Sequence, residues 1–67
     1  MSASDLATLS SIAAQIDEVQ HRITAMAERY GTTPDSAIAG DLFAVERALL
    51  TARRAVQRAA QSIESRP

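Results

Sequence analysis

Arg47, Thr51, Arg54 and Arg58 follow one another at intervals of four, three and four residues, the spacing that lines side chains along one side of a helix. Guanidinium forks stacked in this way suit phosphate oxygens, so Arg47, Arg54 and Arg58 are the candidate anion-binding residues for a nucleotide or a nucleic acid. The chain has no basic tail and no aromatic side chains interleaved with these arginines. The preferred reading of the stripe is therefore a solvated face, with binding of nucleotide or nucleic-acid phosphates as the alternative. Asp17 with His21, and Glu18 with Arg22, stand four residues apart and read as pairs that support a helix. An Asp–His pair invites acid/base chemistry, yet the sequence offers it no nucleophile, no oxyanion donors and no Gly-rich phosphate loop, and the expectation is that the protein is not an enzyme. No cofactor or metal is expected, because Cys is absent and His21 is the single histidine, too little for a metal site.

The elements that position these residues are written in the apolar spacing. Leu9, Ile12, Ile16, Val19, Ile23, Met26 and Tyr30 alternate at three and four residues, and Ile38, Leu42, Val45, Leu49, Ala52, Val56, Ala59 and Ile63 do the same beyond Gly31-Thr32-Thr33-Pro34. This predicts an all-α fold, a two-helix antiparallel coiled-coil hairpin. Residues 1–4 are expected as a short tail, 5–30 as the first helix, 31–33 as the turn, 34–64 as the second helix and 65–67 as a C-terminal tail. Gly31 is read as a left-handed helix end, Thr33 as an N-cap and Pro34 as the first residue of the second helix. Gly40 is the weak point of that helix. If Tyr30 faces Ile38, facing residues have position numbers totalling about 68, so that Met26 meets Leu42 and Val19 meets Leu49.

Size and charge narrow the function. A chain of 67 residues holds one domain, whose core supplies no more than about 3–5 kcal/mol. Without cysteines or metal ligands, self-association or docking on a partner is the remaining source of stability. Residues 1–41 carry six acids and two arginines, and residues 42–67 carry five arginines and two acids. That split favours packing one helix against the other, or against another copy, and disfavours a dedicated nucleic-acid partner. No apolar run approaches a membrane span and no signal peptide is evident, so a cytoplasmic location is expected. The use of Arg without Lys, together with abundant Ala, suggests a bacterial origin.

A second apolar stripe falls on Ala39, Phe43 and Leu50, bordered by Glu46, Arg53 and Gln57. These six residues are the expected partner-binding face, read as lying on the side of the second helix turned away from the first. A homodimer forming a four-helix bundle is the simplest assembly. The expected function is that of a non-enzymatic helical-hairpin interaction protein, which self-associates or docks as a small accessory subunit on a protein partner, without a membrane.

Overall fold

In a computed structural model, residues 2–66 form a helical hairpin with no strand among the described residues. Helix α1 spans Ser2–Gly31 and helix α2 spans Ser36–Glu64. The two helices pack against each other along a rod of 55 × 14 × 9 Å. Their partners run in reverse order: Asp17 meets Arg53, while Thr24 meets Glu46. Gln20 also reaches Glu46, so the position numbers of the cross-helix pairs fall between 66 and 70 and straddle the total of 68 expected from the turn.

The ends of the helices differ from the sequence expectation. Helix α1 begins at Ser2 and includes residues read as a tail. Gly31 is its last residue, and no described glycine has a positive φ, so the left-handed helix end is not used. Threonines do that work instead: Thr32 Oγ1 donates to the Arg29 carbonyl at 3.0 Å and Thr33 Oγ1 to the Tyr30 carbonyl at 2.7 Å. The Thr33 amide also donates to Tyr30 O at 3.1 Å. Orphaned C-terminal carbonyls of α1 are thereby satisfied without a change of backbone hand. Thr33 Oγ1 then accepts from the Asp35 amide at 3.2 Å, which folds the connection into a tight turn. Helix α2 starts at Ser36, not at Pro34, and Asp35 in the capping position makes no side-chain cap bond. Gly40 interrupts nothing, because α2 runs through it without a break.

The larger departure is rotational. The sheltered positions are Leu6, Leu9, Ala13, Ile16, Asp17, Gln20, Ile23, Thr24, Ala27 and Tyr30 on α1, and Ala39, Leu42, Phe43, Glu46, Leu49, Arg53, Val56, Ala60 and Ile63 on α2. Leu9, Ile16, Ile23 and Tyr30 belong to the expected seam, as do Leu42, Leu49, Val56 and Ile63. The other half does not: Ile12, Val19, Met26, Ile38, Val45, Ala52 and Ala59 are exposed. At 3.6 residues per turn, exchanging each of these for its following neighbour corresponds to rolling both helices by roughly 50°. Alanines at 13, 27, 39 and 60 leave little bulk between the backbones, and polar side chains at 17, 20, 24, 46 and 53 find one another across the seam.

Candidate functional site

Rolling the helices creates two unlike broad faces. Both helices shift toward the same side of the hairpin, because in oppositely directed neighbours the positions that flank the seam in equivalent ways lie side by side. One face is polar. Here Asp17 Oδ1 pairs with Arg53 Nε, and Glu46 accepts from Thr24 Oγ1 and, at 3.4 Å, from Gln20 Nε2. Gln20 Nε2 also donates to Thr24 Oγ1 at 3.0 Å, and Thr24 Oγ1 approaches the Gln20 carbonyl at 3.0 Å. Asp17 and Arg53 keep about two-fifths of their side-chain surface in water. Arg53 Nε itself is shielded and has no aligned hydrogen bond beyond that ion pair.

The opposite face is apolar. Ile12, Val19 and Met26 of α1 and Ile38 and Val45 of α2 are between 36% and 43% exposed, and the half-buried leucines, isoleucines and Val56 of the seam lie between the two rows. Ala48, Ala52, Ala55 and Ala59, all exposed, continue the face along the outer edge of α2. A shallow depression of about 220 Å³ is lined by Val19, Arg22, Ile23 and Met26. A second depression of about 230 Å³ sits at the turn, against Arg29, Tyr30 and Thr33. Both lie open on a two-helix rod, and neither encloses a pair of groups suited to proton transfer. No group of three His, Asp or Glu side chains gathers for a metal ion among the described residues.

The residues singled out from sequence are divided by this geometry. Ala39 is 5% exposed and lies between the helices, not on an outward stripe. Glu46 and Arg53, expected at the rim of that stripe, are drawn into the seam by Thr24, Gln20 and Asp17. Phe43 is half-buried beside the polar network, while Leu50, at 37%, and Gln57 are exposed. The six residues therefore do not form a single outward surface. Their common error is rotational: the same roll that brings positions 39, 46 and 53 inward turns 38 and 45 outward. Arg47, Arg54 and Arg58 are exposed and point away from the apolar face. The signal that would have found that face is the adjacency of two apolar repeats on each helix, sharing positions 9, 16 and 23 on one and 42, 49 and 56 on the other.

No helix among the described residues is long and apolar enough to cross a membrane. No protein-family model, curated protein or solved structure matches the chain.

Proposed function

We propose that this chain is a non-enzymatic interaction protein, an antiparallel coiled-coil hairpin that completes its core by self-association into a four-helix-bundle homodimer. One observation carries the reading. Among the described residues only Ala27 and Ala39 are buried, and no large side chain is, while six large apolar side chains stand exposed. A fold held by two methyl groups and a half-buried seam still has apolar surface left to bury.

Surface area supports the same conclusion. The hairpin exposes 4910 Å², whereas a compact monomer of 7.2 kDa is expected to expose about 4,100 Å². The excess of about 800 Å² equals what one partner contributes to an interface of standard size. Contiguous apolar surface of this kind marks association sites in other proteins. A rod without a cleft also leaves recognition, rather than catalysis, as the work available to it.

Sedimentation equilibrium at micromolar concentration tests the reading. A mass twice that of the 7.2 kDa chain is expected. A monomer with full helical content over the same range would overturn self-association.

A further inference from the structure

We infer that the apolar face receives a second copy of this chain with both turns at the same end, so that α1 of each protomer lies over α2 of the other. This rests on the self-association proposed above and adds to it which helices meet and in which direction. Two hairpins stacked face to face have two symmetric solutions. A two-fold axis along the rod puts the turns together and sets α1 on the partner's α2. A two-fold axis across the rod puts the turns at opposite ends and sets each helix on its own counterpart.

Side-chain size favours the first. The apolar edge of α1 carries Ile12, Val19 and Met26, whereas the matching edge of α2 runs from Ile38 and Val45 into Ala48, Ala52, Ala55 and Ala59. The cross-helix register pairs position numbers near 68, and an axis along the rod preserves these levels. Ile12 then meets the partner's Ala55 and Ala59, and Val19 meets the partner's Ala48 and Ala52. Large side chains enter gaps left by small ones at both contacts, while nearer the turn Met26 meets the partner's Val45. In the second solution the bulky edge of α1 is set on its own counterpart and the alanine-bearing edge of α2 on its own. The bundle would then be pinched on one side and splayed on the other.

Charge points the same way. Helix α1 carries four acids against two arginines, and α2 carries four arginines against three acids, so setting each helix on its counterpart sums like charges. At the rim, Arg29 of α1 and Asp41 of α2 are both exposed and sit at nearly one level. With the turns together, Arg29 faces the partner's Asp41 twice over, once on each side of the two-fold axis.

The chain has no cysteine, so one introduced thiol reports alone. Ala37 is exposed near the turn, and Ala37→Cys carrying a nitroxide label gives the distance between protomers by pulsed electron resonance. Turns together place the two labels roughly 15–30 Å apart, from interaxial distances of 8–10 Å. A separation of about 40 Å or more, the length of α2 at 1.5 Å per residue, would overturn the orientation and leave dimerisation intact. Absence of any dipolar coupling, with a monomeric mass for the labelled protein, would overturn the self-association beneath it.

Discussion

Ala27 of α1 and Ala39 of α2 occupy one level of the hairpin, one on each helix, and they alone among the described residues are buried, at 0% and 5% exposure. A level closed by two methyl groups lets the helices come near each other but removes little apolar area from water. The larger residues beside them, Met26 and Ile38, each one position earlier in the chain, remain 38% and 41% exposed. At this level the hairpin turns its small residues inward and leaves the large ones on the surface.

That surface is expected to be the assembly face. Val19→Glu and Met26→Glu together should convert the dimer to monomer, because two charges would be desolvated at the centre of the contact. Leu50→Glu, on the other broad face, should leave the mass unaltered. Sedimentation velocity distinguishes them, and the reverse pattern would move the interface to the Phe43 and Leu50 side.

Gly40 is the simplest site for stabilisation. A methyl group added there meets nothing within 4 Å, and α2 is regular through it. Gly40→Ala should raise stability by about 1 kcal/mol through helix propensity and loss of unfolded-state freedom. For a domain of this size that corresponds to an increase in Tm of roughly 4–8 °C, readable by circular dichroism.

Thr33 joins the two helices through its hydroxyl, which donates to Tyr30 O and accepts from the Asp35 amide. Thr33→Val keeps the shape and removes both bonds. Since the site is exposed and water replaces part of what is lost, a destabilisation of about 1 kcal/mol is expected in urea unfolding. An unchanged midpoint would show that Pro34 and the helix packing alone set the turn.

The Asp17–Arg53 pair should be worth little. Both side chains are more than a third exposed, so a double-mutant cycle with Asp17→Asn and Arg53→Gln should give a coupling below about 1 kcal/mol, falling further in high salt. A larger coupling would mean that the second protomer covers this face and shields the pair.

The hairpin was legible because turn chemistry and periodicity agree: Gly31 to Asp35 separates two runs of apolar residues, and its shortness alone fixes the register that Asp17, Gln20 and Thr24 confirm across the seam. The roll of each helix was not. Leu9, Ile16 and Ile23 fit a repeat with Ile12, Val19 and Met26 as well as one with Ala13, Gln20 and Ala27, and bulk favours the first. The second sets Arg53 beside Asp17, and Glu46 beside Thr24 and Gln20, partners that no local window of one helix contains. The outward stripe expected on Ala39, Phe43 and Leu50 does not form for the same reason, since an outer face is whatever the seam leaves out.

Coupling between folding and association is tested most directly by the midpoint of thermal unfolding as a function of protein concentration. If the exposed residues around Val19 and Met26 complete their burial only in a second copy, Tm rises steadily from nanomolar to high micromolar chain concentration, by mass action on the dimer. A sharp, reversible transition whose midpoint is the same at every concentration would mean that the hairpin stands alone with its apolar face in water.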